Sequence, residues 1–284
     1  MKIIIFSMVL LFFGCSKEKD GQIPKGEKIN FKINIKNDKE KKATLNPTSS
    51  TDFTTSFKVG DEIGVFATPT GTALLASGNP INNVKLTYDG TGWVGDIDWP
   101  NIGGSFDFYA YYPYGFIYEN PLQMTFVSNF MNAGMDRVSQ SDLMSGTVQG
   151  VVKGGDVELE FTHRLALLQV EVSKGAGLGT GPYEALEVYL NTDIGKGNLN
   201  LSNNSFQVIN ESYRHSLPRL EKLGSPDYST KFTYRTYLPA QDLPNSQEII
   251  NLITPLGSKN YLLPNVVQLR AGVATVIKLD FLIE

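Results

Sequence analysis

Two histidines, His163 and His215, and a single cysteine, Cys15, set narrow limits on the chemistry this 284-residue chain can carry. A nucleophile–base–acid relay needs a histidine in reach of a serine or cysteine and oriented by a carboxylate. His163 sits beside Arg164 within an alternating apolar run, His215 lies in a polar stretch, and neither follows a nucleophile elbow. Both read as structural histidines. A zinc centre takes three or four ligands, which two distant histidines do not supply. Asp96-Ile97-Asp98 and Asn191-Thr192-Asp193 lack the spaced oxygen ligands of a calcium loop. Residues 150–155, G-V-V-K-G-G, have neither the glycine spacing nor the following helix of a phosphate loop. Any of the 29 acids could in principle pair for glycoside hydrolysis, and no setting marks one out. The expectation is a protein with no catalytic constellation, no metal site and no cofactor, hence not an enzyme.

Composition narrows the class further. Hydrophobic residues at 41% and charged residues at 19% describe a globular chain. A formal charge of −4, without a basic stripe, argues against nucleic acid as a partner. With one cysteine no intramolecular disulfide can form, so apolar cores must hold the fold.

The start of the chain reads as a targeting segment. Met1-Lys2 is a short positive start, and Ile3 to Phe13 is an apolar run suited to a secretory leader and too short to span a membrane. L-F-F-G-C at 11–15 resembles a bacterial lipoprotein signal, in which cleavage leaves Cys15 as a lipid-modified N-terminus. Phe12 and Phe13 stand where such signals usually carry small or branched residues, and an ordinary leader with an incidental cysteine is the alternative. Residues 1–14 are thus the expected signal peptide and 15–27, opening S-K-E-K-D-G, a polar tether.

The elements that would position any site are strands. Lys28 to Ile35 alternates without a break, with Ile29, Phe31, Ile33 and Ile35 on one face. Val84 to Tyr88, Asp89-Gly90 and Trp93-Val94 form a hairpin signal. Phe106 to Tyr118 contains eight aromatic residues, and its even positions Phe106, Phe108, Tyr112, Tyr114, Phe116 and Tyr118 would face a core. Pro113 should end its pairing, having no N–H for an inner ladder. The odd face leaves Tyr109 and Tyr111 to touch a ligand, and with Trp93 and Trp99 they are the candidates for a sugar platform.

Val157 to Val172 carries period two on both flanks and reads as two consecutive strands or one bent strand, Gln169 and Glu171 pointing outward. Further strands are expected at 186–191, 197–201, 205–209, 231–238, 249–254, 260–263 and 273–282, where Val273, Thr275, Ile277, Leu279 and Phe281 share a face. About seven strands per half and almost no helical stripe predict an all-β chain of two tandem immunoglobulin-like β-sandwiches, at 28–162 and 163–284.

Several stretches in this order resemble the fimbrillin family of Bacteroidetes: F-K-V-G-D-E-I-G-V-F-A (57–67), W-P-N-I-G-G-S-F-D-F-Y-A-Y-Y-P-Y (99–114), S-D-L-M-S-G (141–146), V-E-L-E-F-T-H-R-L-A-L-L-Q-V-E-V (157–172), Y-L-P-A-Q (237–241) and L-R-A-G-V-A-T-V-I-K-L (269–279). The resemblance implies two transthyretin-like sandwiches, lipoprotein export to the outer membrane through Cys15, and a structural or accessory role in a surface fimbrium that serves adhesion, with other fimbrial subunits as partners. It also implies, for polymerising members, removal of the first strand and its replacement by a strand from the next subunit. Carried onto this chain, Ile29, Phe31, Ile33 and Ile35 would be the removable strand. Val273, Thr275, Ile277, Leu279 and Phe281 would be candidates for the donated one. The maturing protease of well-known members cuts after arginine, whereas the first arginine here is Arg137. Either another protease acts after Lys36, Lys39, Lys41 or Lys42, or the chain stays uncut as an anchor or accessory subunit. A surface glycan-binding lipoprotein is the alternative reading.

Overall fold

Alternation of apolar and polar side chains becomes strand almost everywhere. A computed structural model describes residues 26–36, 53, 56–115, 120–127, 141–174, 186–217, 231–254 and 257–281, and these contain seventeen strands and no helix. Seven of them form one sheet: β1 (Phe31–Ile35), β2 (Glu62–Pro69), β3 (Ile81–Tyr88), β4 (Trp93–Val94), β5 (Ser105–Tyr112), β7 (Met144–Val152) and β8 (Val157–His163). Their spatial order is β1-β8-β7-β5-β2-β3-β4. The two ends of this sheet come together. Ile29 N–H donates to the Ile97 carbonyl at 3.3 Å and Trp99 N–H to that of Glu27 at 2.8 Å, flanking a bridge between Lys28 and Asp98. The sheet therefore curls around its own core of Phe31, Ile63, Val65, Trp99, Phe106 and Phe161.

The rest of the chain builds a second core between several smaller sheets. β10 (Glu187–Asn200), β11 (Ser205–Leu217), β14 (Glu248–Thr254) and β15 (Gly257–Leu262) run in the order β11-β10-β14-β15, and β6 (Met124–Val127) joins them by pairing with β10. Facing them is the three-stranded sheet of β12 (Lys231–Leu238), β9 (Ala166–Lys174) and β17 (Ala274–Phe281), with β9 in the middle. A short pair, β13 (Gln241–Leu243) and β16 (Val267–Leu269), completes the set. Leu168, Val170, Leu190, Leu252 and Ile277 are among the residues filling this core.

Local sequence accounts for the turns. In the β3–β4 hairpin Asp89 Oδ1 accepts from the N–H groups of Thr91 and Gly92, both at 2.8 Å, and these bonds hold its carboxyl below the usual carboxylate range. Gly90, at φ 100°, supplies the positive angle the turn needs. Pairing of β5 ends at Tyr112, directly before Pro113, as a residue without an N–H requires.

Five expectations need correction. The stretches 186–191 and 197–201 are one strand, β10, because β11 pairs along its whole length across a bulge at Ile194. The segment read as 205–209 accordingly runs on to Leu217. Tyr109 and Tyr111 are not free: a third cluster of Phe66, Tyr109, Tyr111, Phe126, Leu167 and Leu199, with others, packs the outer face of β5 against β6, β9 and β10. Tyr114 packs against this cluster too, not against the inner core with Phe106 and Phe108. Finally, Gln169 and Glu171 are buried rather than outward, since Arg235 on β12 lies opposite Gln169 and donates from Nε to its Oε1 at 2.6 Å. β6 lies inside the range 28–162, yet its four residues pair with Lys196 to Leu199 of β10.

Candidate functional site

β1 is the last strand of its sheet, and β8 alone holds its residues in a ladder. The two run parallel, from Phe31 opposite Val157 to Ile35 opposite Phe161. The ladder is closed by Val157 N–H to the Asn30 carbonyl at 2.9 Å and Lys36 N–H to that of Phe161 at 2.8 Å. Ile29 and Phe31 are buried, Ile33 and Ile35 half-buried, and all four pack on the curled core. Phe31 meets Phe108 edge-on with ring centroids 5.9 Å apart.

The outward face of the same segment is electrostatic. Lys28 Nζ lies 2.5 Å from Asp96 Oδ1 and 2.8 Å from Asp98 Oδ1. Lys32 Nζ lies 2.6 Å from Asp156 Oδ2 and 3.2 Å from Glu158 Oε1. Asn30 Nδ2 donates to Asp156 Oδ1 at 2.7 Å. Hydrogen bonds to these carboxylates raise both lysines above the ordinary ammonium value, Asp96 acting most on Lys28 and Asp156 most on Lys32. Lys32, and then Asn30, hold the Asp156 carboxyl below its usual range.

β17 is placed by the same principle in a different sheet. It runs parallel to β9, from Ala274 opposite Leu167 through Lys278 opposite Glu171 to Phe281 opposite Lys174. Ile277 and Leu279 are buried in the second core, and Thr275 is half-buried with Oγ1 donating to the Gln268 carbonyl at 3.5 Å. Val273 precedes the strand and donates to the Arg270 carbonyl at 3.0 Å. The candidate removable and donated strands are thus not brought together. Each flanks one of two consecutive strands, β8 and β9, and both of these pairings are parallel.

A polar seam sits where β8 passes into β9, and nothing in the sequence reading assembled it. His163 Nδ1 lies 2.9 Å from Oδ1 of the fully buried Asp142. Arg164 donates from Nε to Ser145 Oγ at 2.6 Å, and Ser145 donates in turn to Asn204 Oδ1 at 2.6 Å. Burial lowers the Arg164 guanidinium to about 10. Burial also raises the hydroxyls of Tyr112 and Tyr237, with Asp61 adding to the first and Asp142 to the second. The only sequence signal was the spacing of polar residues inside apolar runs, S-D at 141–142 and H-R at 163–164, which local periodicity cannot join.

The remaining candidates have structural surroundings. His215 is buried, with Nε2 3.0 Å from Thr192 Oγ1. Asp96 and Asp98 hold Lys28, and Asp193 accepts from Ser212 at 3.1 Å. Among the described residues no group of three or more His, Cys, Asp or Glu is arranged to hold a metal ion. Trp99, Tyr109 and Tyr111 are buried, and Trp93 is half-buried with its ring 4.9 Å from that of Phe57, so these four form no exposed platform for a sugar. Cys15, the leader at 1–14 and the tether up to residue 25 lie outside the described residues, as do Phe116, Tyr118 and Arg137.

Comparison with known proteins agrees with this architecture. A Bacteroides ovatus protein, Fim1C, to which its name assigns the role of fimbrium tip subunit, is 30% identical over 140 residues, 44% of this chain and 26% of the relative. The chain thus spans about a quarter of the length of the curated relative it matches. Two solved structures of proteins assigned to cell adhesion share the fold. One from Bacteroides ovatus has a TM-score of 0.62 at 16% identity, covering 90% of this chain and 92% of that one. One from Bacteroides uniformis has a TM-score of 0.60 at 18% identity, covering 79% and 88%. The model of the fimbrillin-like family matches residues 48–281, well over half of the sequence, and this chain belongs to that family.

Proposed function

We propose that the chain is a structural or accessory subunit of a surface fimbrium, without catalytic activity. In this reading it is exported as a lipoprotein anchored at Cys15 in the outer membrane, assembles with other fimbrial subunits by β-strand addition, and serves adhesion. Residues 28–162 and 163–284 act as two sandwich units, joined at the β8–β9 step and by the pairing of β6 with β10.

The observation that carries this reading is the placement of β1. It is a terminal strand whose loss, with residues 28–30 before it, breaks the ladder to β8 and the bridge to the 97–99 segment and leaves every other strand pair of the sheet in place. Its loss would also uncover the apolar sites now filled by Ile29 and Phe31. A groove of that kind, with one row of open main-chain groups and alternating apolar pockets, is what an added strand satisfies.

A reversible lock tests it. Lys32 and Glu158 are direct neighbours in the ladder, so cysteines at both positions bring their Cα atoms to a separation a disulfide can span. The oxidised Lys32→Cys/Glu158→Cys chain should stay out of surface polymers, and reduction should restore entry. Strand addition at this site is wrong if the locked chain is incorporated as well as the wild type. The N-terminal residue of chain recovered from cells then separates roles: lipidated Cys15 marks an anchor or precursor, and a new terminus near 37–50 marks a processed subunit.

A further inference from the structure

We propose that the site β1 occupies selects its strand by charge: it accepts a strand with apolar inward positions and lysine at its outward ones, and a second copy's β17 fits it poorly. This rests on the strand-addition reading above and names the chemistry of the partner.

Five carboxylates border the track of β1. Asp96 and Asp98 flank Lys28, Asp156 and Glu158 flank Lys32, and Glu160 stands beside Asn34 in the ladder. Side chains on a strand alternate, so Lys28, Asn30, Lys32 and Asn34 form one outward row spanning about 20 Å at roughly 3.3 Å per residue. Every member of that row is a cation or an amide, and none is an acid. When β1 leaves, the two lysines go with it, while Asp156, Glu158 and Glu160, which belong to β8 and the residue before it, stay in place. An incoming glutamate or aspartate would stand directly beside one of them, and like charges on neighbouring strands destabilise the pair.

The chain's own last strand fails this match. Its exposed outward residues Lys278 and Asp280 are one cation and one anion, two positions apart. Running parallel to β8 with Lys278 in the place of Lys28, it would set Asp280 in the place of Asn30, against Asp156. With Lys278 in the place of Lys32, Asp280 would take the place of Asn34, beside Glu160. Each register therefore trades an amide for a repulsive contact. The preferred occupant is a strand of another subunit, carrying two lysines four residues apart.

The test uses the full chain carrying Lys28→Glu and Lys32→Glu, in which repulsion loosens its own strand. The probes are a labelled peptide of residues 27–36, the same peptide with both lysines changed to glutamate, and a peptide of residues 273–282. Fluorescence anisotropy at low salt should show the lysine peptide binding at least tenfold more tightly than either of the others, with the gap closing near 1 M salt. A chain that keeps Lys28 and Lys32 but carries Asp96→Lys, Asp98→Lys, Asp156→Lys and Glu158→Lys, so that its own strand is again repelled, should reverse the preference. Equal affinities for the three peptides would overturn charge selection while leaving strand addition standing. Unchanged hydrogen-exchange protection of residues 31–35 in the first variant would also overturn charge selection. Exposed amides at 31–35 with no peptide bound in any variant would sink strand addition and charge selection together.

Discussion

The Lys32 ammonium lies 2.6 Å from the Asp156 carboxylate, and Asn30, just before the same strand, donates to that carboxylate at 2.7 Å. One residue of β1 and the residue before it therefore share one acid beside the start of β8. The folded Asp156 carboxyl titrates below its usual value, so its contribution is present above about pH 4 and is lost as pH falls through the folded value. Lys32 is raised, so its contribution is complete below about pH 10 and is lost as pH climbs through the folded value. Hydrogen exchange at Phe31 to Ile35, corrected for intrinsic rates, should show constant protection between those limits and weaker protection below pH 4 or in 1 M salt. Equal protection at pH 6 and pH 3 would show that the ion pairs do not hold the strand.

Phe31 should dominate the hydrophobic hold on the same strand. Its ring is buried and edge-on to Phe108. Truncation of a buried phenylalanine costs roughly 3–5 kcal/mol. Phe31→Ala should therefore lower the denaturant midpoint and raise exchange at residues 31–35 first. Ile35→Ala, at the half-buried end of the strand, should cost clearly less. A denaturant series on both variants decides the order.

Gly64 is required by its neighbour Tyr111. The two are opposite each other in the β2–β5 ladder, and a Cβ at 64 would overlap the Tyr111 ring. That ring cannot easily move, because its hydroxyl bonds Asn83 Oδ1 at 2.8 Å and the Gly115 carbonyl at 2.9 Å. Gly64→Ala should destabilise the protein by about 1–3 kcal/mol, the usual range for overpacking. A Gly64→Ala/Tyr111→Leu double variant should lose less than the sum of the single changes.

Alkaline pH should unfold the protein cooperatively. The buried hydroxyls of Tyr112 and Tyr237 stay protonated to higher pH in the folded state than in the unfolded chain, where tyrosine titrates near about 10. Stability is thus complete below pH 10 and falls as pH rises above it, since the unfolded state releases protons the folded state retains. Lys28, Lys32 and Lys85 shift the same way, so the comparison needs a Tyr112→Phe/Tyr237→Phe variant. That variant should show a shallower fall in thermal midpoint between pH 9 and 11 than the wild type.

Much of the fold was legible because strands leave a local signature. Alternation marked Lys28 to Ile35, Val157 to Val172 and the last strand, and Asp-Gly marked the β3–β4 turn. The ordered set of motifs also points to the family without any tertiary information. The inward row Ile29, Phe31, Ile33 and Ile35 was readable from the same period.

Tertiary structure decided what lies beyond one strand's reach. Period two states that a strand has two faces, not what covers each of them. Alternation alone therefore leaves Tyr109 and Tyr111 on an open face, whereas β6, β9 and β10 pack on it. Gln169 and Glu171 likewise read as solvent-facing from their spacing, whereas Arg235 lies opposite Gln169 and both are buried. Parallel pairing of β1 with β8 and of β17 with β9 joins residues far apart in the chain, and no local pattern encodes such a partner or its direction. The sequence by itself set which residues could form strands and which face of β1 is apolar. Only packing set that this face plugs a core, and that the opposite face lies along a row of carboxylates. The physical reason is range: side-chain alternation is a property of neighbours in the chain, whereas burial and charge pairing depend on neighbours in space.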